Sequence, residues 1–324
     1  MERTPWGRHT RQKRADGVET VEDKEQLTGE IKELKNKRRA VILSHVYQRP
    51  EVQDVADFVG DSLELSRKAA ATDAEVIVFC GVHFMAESAA ILSPDKVVLL
   101  PDLEAGCPMA DMVDEVALAA RKKELPGALV VAYVNTSAAV KAESDVCCTS
   151  ANAVKIVSSL PPGQEILFIP DRNLGLWVQR QTGRPMHLWE GYCNTHHKLK
   201  AEDVRLARQE HPDAVVLAHP ECAPEVLDLA DAVASTTGML RFAMESGEKE
   251  FIVATETGLL HPMRRACPDK QFYPAASRLV CPNMKRTTLE KVRDALLTLQ
   301  PRVAVAPQVR EKALQSLARM LELS

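Results

Sequence analysis

Several features that would assign this sequence quickly are missing from it. No two of its eight cysteines are spaced Cys-x-x-Cys, which counts against zinc ribbons, thioredoxin-like redox sites and the clustered motif of radical enzymes. No uninterrupted apolar run nears the roughly 20 residues that cross a bilayer. Neither a Walker loop nor a Gly-x-Gly-x-x-Gly fingerprint is present, so nucleotide binding has no motif behind it. Charge of one sign is also lacking. With 41 Lys+Arg against 45 Asp+Glu the formal charge is −4, giving no reason to expect a nucleic-acid or acidic-membrane partner. The opening "MERTPWGRHTRQKRADG" is basic and polar without the apolar middle of a secretory signal. The expectation is therefore a cytoplasmic protein with a flexible leader over 1–24, whose cysteines are thiols or metal ligands and not disulfides.

What is present is bulk and repetition. The 324 residues, 45% hydrophobic, are enough for two or three compact cores. Three strand-like segments align without a gap: "AVILSHVYQ" from Ala40, "ALVVAYVNT" from Ala128 and "AVVLAHPEC" from Ala214, 88 and 86 residues apart. Each is a short β-branched run ending in polar residues, the pattern of a buried parallel strand feeding a loop. Each is followed by a helical stretch, then by "GDSLELSRKAAA", "CTSANAVKIVSSL" or "ASTTGMLRFAMES", and then by a second strand, "EVIVFCG", "EILFIPD" or "EFIVATE". Ser62, Ser150, Ser235 and Thr236 thus read as helix caps, at helix starts whose free N–H groups suit carboxylates or phosphate. A third helical stretch and a short extended segment complete each copy.

At the end of each copy stands a cysteine. Cys107, Cys193 and Cys281 follow the polar residues that close the first strand, His45, Tyr133 and His219, by 62, 60 and 62 residues. Three such units packed about a pseudo-threefold axis would bring one thiol per copy to the centre. His45, Tyr47, Tyr133, Asn135, His219 and Glu221 would surround it, because open α/β units bind ligands beyond the carboxyl ends of their strands. A structural zinc site normally needs a fourth protein ligand, for which His196 is a candidate. A [4Fe–4S] cluster on three cysteines leaves one iron open, a Lewis acid suited to dehydration. Gly106 and Pro108 would let the backbone approach a bulky cofactor and stiffen the turn. The other cysteines, Cys80, Cys147, Cys148, Cys222 and Cys267, read as packing thiols.

From about Ala40 to Leu299 the sequence resembles the quinolinate synthase family, through "SHVYQ", "GDSLELS", "AGCPMADM", "AYVNTSAAVKAESDVCCTSANA", "WEGYCNTHHKL", "HPEC", "STTGM", "ATETGLLHPM" and "CPNMKRTTLEKV". The resemblance implies an α/β fold of three pseudo-threefold-related three-layer α/β/α domains, with short parallel sheets around a central active site. We place these at 25–125 (with C-terminal helices 286–324 packing on it), 126–211 and 212–285. The implied activity condenses iminoaspartate with dihydroxyacetone phosphate to quinolinate, releasing phosphate and two waters. Cys107, Cys193 and Cys281 would hold a [4Fe–4S] cluster with one open iron. His45 and Tyr47 would handle the phosphate-bearing substrate, and Glu221 would be the general acid/base, with His219 and Tyr133 also catalytic. Ser62, Asn135, Ser150, His196, Ser235 and Thr236, together with His45, Tyr133, His219 and Glu221, would bind substrate. Functional coupling to an L-aspartate oxidase or dehydrogenase is a further implication. Some family members carry Cys-x-x-Cys before the third ligand; Arg278 stands there in this chain, so no redox switch is expected. Competing expectations are an aconitase-like hydro-lyase acting on another small polyacid and a non-enzymatic iron–sulfur sensor.

Overall fold

A computed structural model describes residues 21–324. Twelve strands among them form three four-stranded sheets, all parallel. The first holds β1 (Ala40–His45), β2 (Phe58–Gly60), β3 (Val76–Cys80) and β4 (Val97–Leu99). The second holds β5 (Leu129–Tyr133), β6 (Val146–Cys148), β7 (Ile166–Ile169) and β8 (His187–Leu188); the third holds β9 (Val215–Ala218), β10 (Ala232–Val233), β11 (Glu250–Ala254) and β12 (Gln271–Pro274). Their orders are β2-β1-β3-β4, β6-β5-β7-β8 and β10-β9-β11-β12, one topology three times over. The expected α/β class is observed, and the strands read from sequence as first and second in each copy are the two central strands of each sheet.

The edge strands β2, β6 and β10 were not expected. Two or three residues are too few for a period to show, and a repeated side chain builds each edge. Asp57, Asp145 and Asp231 each accept, through Oδ2, the backbone N–H of a central-strand residue: Ile42 at 2.8 Å, Val130 at 2.7 Å and Val216 at 2.8 Å. Their own N–H groups donate to the carbonyls of those same residues. One aspartate per copy thereby extends the ladder and satisfies backbone groups that burial would otherwise penalise.

The central strands are buried on both faces, with Ile42, Leu43, Val130, Val131, Val216 and Leu217 almost fully enclosed, as parallel sheets between helical layers require. The helix Leu289–Thr298 lays Leu289, Val292, Ala295 and Leu296 against the first sheet and against Leu27 and Ile31 of the helix Val21–Lys37. That helix takes in 21–24, so only residues up to 20 of the expected leader lie outside the described residues. The last helix, Pro307–Glu322, differs from expectation. Its apolar stripe, Ala313, Leu317 and Met320, packs mainly on the helix Ala138–Ala142 and β6 of the second sheet, and secondarily on the helix His83–Leu92. Ser316 sits at the centre of this stripe and fixes the contact by donating to the Lys141 carbonyl at 2.8 Å.

Candidate active site

The carboxyl ends of the three sheets converge on a cavity of about 180 Å³. Cys107, Cys193 and Cys281, one from each copy, line it together with His45, Tyr47, Ser62, Tyr133, Asn135, Ser150, His196, His219, Glu221 and Thr236. Ser235 is the one expected site residue outside this lining; it borders a neighbouring outer pocket. The capping expectation needs correcting at two serines. The helix Ser62–Ala71 is capped by Asp61, in a capping box with Glu64, and the helix Ala153–Ser159 begins after Asn152, leaving Ser150 in the preceding turn. A carboxylate at Ncap accepts the free N–H groups at least as well as a serine, which is why Asp61 takes that place. Ser235 does cap its helix, Thr236–Glu245, accepting from Gly238 N–H at 3.2 Å.

The three cysteines share a local device. Each precedes a single helical turn, Ala110–Met112, Asn194–His197 or Met284–Arg286. Backbone N–H groups at the start of that turn favour each thiolate: Met109 and Ala110 for Cys107, His196 for Cys193, and Asn283 and Met284 for Cys281. A buried carboxylate fixes one cysteine backbone: Glu256, just past β11, accepts the Cys281 N–H at 3.0 Å while pairing with Lys285 at 2.9 Å. Asp171, just past β7, caps the helix Arg172–Thr182, accepting the Leu174 N–H at 2.8 Å. Asp171 and Glu256 were missed in the sequence although "IPD" and "ATE" end the second strands. Gly191, two residues before Cys193, is required because a Cβ there would collide with the Pro170 carbonyl. Gly106 is under no such constraint, since a Cβ there would meet nothing within 4 Å.

A three-cysteine cofactor fits this site. The five remaining cysteines are buried, whereas the three lining the cavity are only partly so. Burial pushes the Cys107 thiol up to about 12, and the neighbouring Cys281 adds to the effect. Burial likewise raises Cys193 and Cys281. Three soft donors that resist ionisation together are a donor set completed by a metal centre, which binds thiolates and releases protons. Cys193, His196 and Glu221 also place one ligand atom each within 4.8 Å of one another. The two nitrogens of His196 are already engaged, as described next, so that triple is a hydrogen-bonding group.

A chain of polar contacts runs under the cavity. Tyr47 Oη lies 2.7 Å from Thr255 Oγ1 and Thr255 Oγ1 lies 2.8 Å from His196 Nε2, while His196 Nδ1 lies at ion-pair distance, 2.6 Å, from Glu221 Oε2 and 3.2 Å from Cys193 Sγ. The Tyr133 hydroxyl stabilises the charge of the same carboxylate. With Tyr47 donating to Thr255 and Thr255 to His196 Nε2, the ring proton sits on Nδ1, facing Glu221 and Cys193. Burial by itself would raise the Glu221 carboxyl, but His196 and His219 outweigh it and hold it down at about 2. Burial drives the Tyr47 phenol well above its ordinary range, with Glu221 adding to the rise.

His45 and His219 repeat one hook. In each, Nδ1 accepts the backbone N–H two residues on, from Tyr47 at 3.2 Å and from Glu221 at 3.3 Å. An accepting Nδ1 carries no proton, so both rings present Nε2–H as a donor; that of His219 meets Ser150 Oγ at 3.2 Å. Burial lowers both imidazoles to about 3, against the pull of Glu221, so they are neutral donors at neutral pH. Asn135 lines the cavity, and its Oδ1 is buried with no partner, an unsatisfied acceptor beside the site. Thr255 was also missed. It follows β11 directly, and only its contacts distinguish it from an ordinary strand-end threonine.

Comparison with known proteins places the chain in a family. The family model described as "NadA: Quinolinate synthetase A protein" matches residues 29–322. A protein of Desulforudis audaxviator named quinolinate synthase is 59% identical over 299 residues, covering 92% of this chain and 99% of its own length. Proteins of the same name from Geobacter sp. (strain M21) and Methanosarcina barkeri are 56% and 55% identical, covering 92% and 91% of this chain and 98% and 97% of their own lengths.

Proposed function

This chain belongs to the quinolinate synthase family, and from that premise we propose that it condenses iminoaspartate with dihydroxyacetone phosphate to quinolinate, releasing phosphate and two waters. As a member of that family it is an enzyme of NAD biosynthesis acting on small molecules. The observation that carries the finer reading is the convergence of three thiols, one from each sheet, on the cavity that also holds the Tyr47–Thr255–His196–Glu221 chain. Family membership removes the ground for the hydro-lyase and sensor readings. A cytoplasmic location, coupling to an aspartate oxidase or dehydrogenase that supplies the labile imine, and the division into 25–125, 126–211 and 212–285 belong to the same proposal.

In this reading Cys107, Cys193 and Cys281 hold a [4Fe–4S] cluster. When bound, the cluster supplies an open iron that polarises a hydroxyl or carboxylate and assists loss of water. The remaining work falls to the side chains. Tyr47 is the base at the substrate. Its proton passes to Thr255 Oγ1, the threonine proton passes to His196 Nε2, and the Glu221 carboxylate stabilises the resulting imidazolium through Nδ1–H. Tyr133 stays protonated, because burial and Glu221 raise its phenol, and can donate to a departing oxygen. His45 and His219 hold substrate oxygens as neutral Nε2–H donors. Asn135 accepts from a nitrogen or hydroxyl of the substrate. Ser62 and Thr236 at helix starts, and Ser150 in the turn before one, bind its anionic groups, and Ser235 supports that wall from outside. The test is an anaerobic assay with both substrates on an iron- and sulfide-replete preparation. We expect quinolinate, and its absence overturns the proposal.

A further inference from the structure

Beyond the active cavity lies a second pocket, of about 430 Å³, to which all three sheet units contribute. The two share a wall. Asp61 and Ser150 border both, and consecutive residues at one helix start divide between them, with Thr236 in the inner lining and Thr237 in the outer. The wall is thin, since the Ser150 hydroxyl on it touches His219 Nε2 inside at 3.2 Å.

The outer pocket carries uncommitted positive charge. Arg67 and Arg241 both line it and are exposed, and neither has a carboxylate within ion-pair distance among the described residues. By contrast Arg180, Arg278 and Arg286, which also join segments distant in sequence, are each held by an acid. The acids at the outer pocket are occupied. Asp61 caps its helix, accepting from Leu63 and Glu64 N–H at 3.0 Å each, and Glu64 accepts from Thr237 Oγ1 at 2.9 Å. That last bond latches the helix Ser62–Ala71 to the helix Thr236–Glu245 across the wall. Trp177 supplies an apolar side.

We propose that this outer pocket is an anion-binding vestibule, in which Arg67 and Arg241 take up a phosphate-bearing or dicarboxylate substrate before it passes the Glu64–Thr237 latch into the cavity. The identity of the substrates rests on the function proposed above, whereas anion binding at the two arginines does not. Two exposed cationic side chains at a cleft mouth attract anions and raise association rates, an advantage that Asp61 and Glu64 on the same lining reduce and that salt removes.

Two measurements on the full-length, cluster-loaded chain test this. In the first, inorganic phosphate is titrated while the ¹⁵N–¹H indole resonance of Trp177, assigned with Trp177→Phe, is followed. A saturable shift in the wild type that is lost in Arg67→Ala/Arg241→Ala supports the vestibule. An equal shift in both, or none in the wild type, overturns it. In the second, steady-state kinetics of the double alanine variant should show kcat/KM for the anionic substrates lowered about tenfold with a flattened salt dependence, kcat being retained, and Arg67→Lys/Arg241→Lys should recover most of the loss. Unchanged kcat/KM in the alanine variant contradicts it. The phosphate titration still decides the vestibule if the wild type makes no quinolinate, so failure of the two readings can be told apart.

Discussion

Replacing Thr255 by valine isolates the proton chain with little change of shape. Valine keeps the β-branched volume and removes one oxygen, the one lying 2.7 Å from Tyr47 Oη and 2.8 Å from His196 Nε2. His196 is almost fully buried and would lose an established partner, at a cost of about 1–3 kcal/mol. Tyr47 lines the cavity and can turn its hydroxyl to water there, which limits the total. For a chain of this size that cost lowers Tm by roughly 1.5–4.5 °C. The effect on turnover should be larger. Burial and Glu221 make the Tyr47 phenol hard to ionise, and without Thr255 its proton has no path to His196. Losing assisted proton transfer costs about 10²–10⁴ in rate. The assay is anaerobic kcat with iron and sulfide counted on the same sample, beside a thermal melt. Thr255→Ser should recover most of the activity. A cluster-loaded Thr255→Val enzyme within about twofold of wild-type kcat would refute the relay.

Replacing Cys107, Cys193 or Cys281 singly by serine should abolish the iron–sulfur absorbance, whereas Cys80→Ala should retain it; absorbance surviving in Cys193→Ser contradicts a shared three-thiol site. Glu256→Gln weakens the carboxylate that holds the Cys281 amide and should lower cluster occupancy at reconstitution, measured as iron per chain. Leu296→Ala empties a fully buried position between the helices Val21–Lys37 and Leu289–Thr298 and should cost about 2–5 kcal/mol in denaturant melts with kcat unchanged. Stability should fall with acid from about pH 6.5 down to about 3. Over that range the unfolded chain has protonated imidazoles near the ordinary value of about 6.5, while folded His45 and His219 stay neutral to about 3, so unfolding takes up protons. His219→Gln should make that decline shallower, and an equal slope would show that this imidazole does not stay neutral in the fold.

The sequence exposed what recurs and hid what depends on contact. Three apolar runs ending at His45, Tyr133 and His219, with a cysteine about sixty residues after each, carried the strand register and the thiol set, because repetition shows in a linear sequence. The edge strands did not show, being two or three residues held by an aspartate whose partner is fifteen positions away. Ser62 and Ser150 looked like caps because serine is a common one, but Asp61 and Asn152 precede the helices instead. Thr255, Asp171 and Glu256 end strands in the ordinary way and gain meaning only when the cavity closes over them. The outer pocket had no signal at all. Arg67 and Arg241 are 174 positions apart, and each alone reads as a solvated helix residue.

The central claim is that three copies of one α/β unit each deliver one thiol to a single cofactor. Iron and acid-labile sulfide measured on anaerobically purified chain test it most directly. The account predicts about four of each per chain, falling to near zero when any one of Cys107, Cys193 and Cys281 is changed to serine. Stoichiometric zinc without sulfide would contradict it.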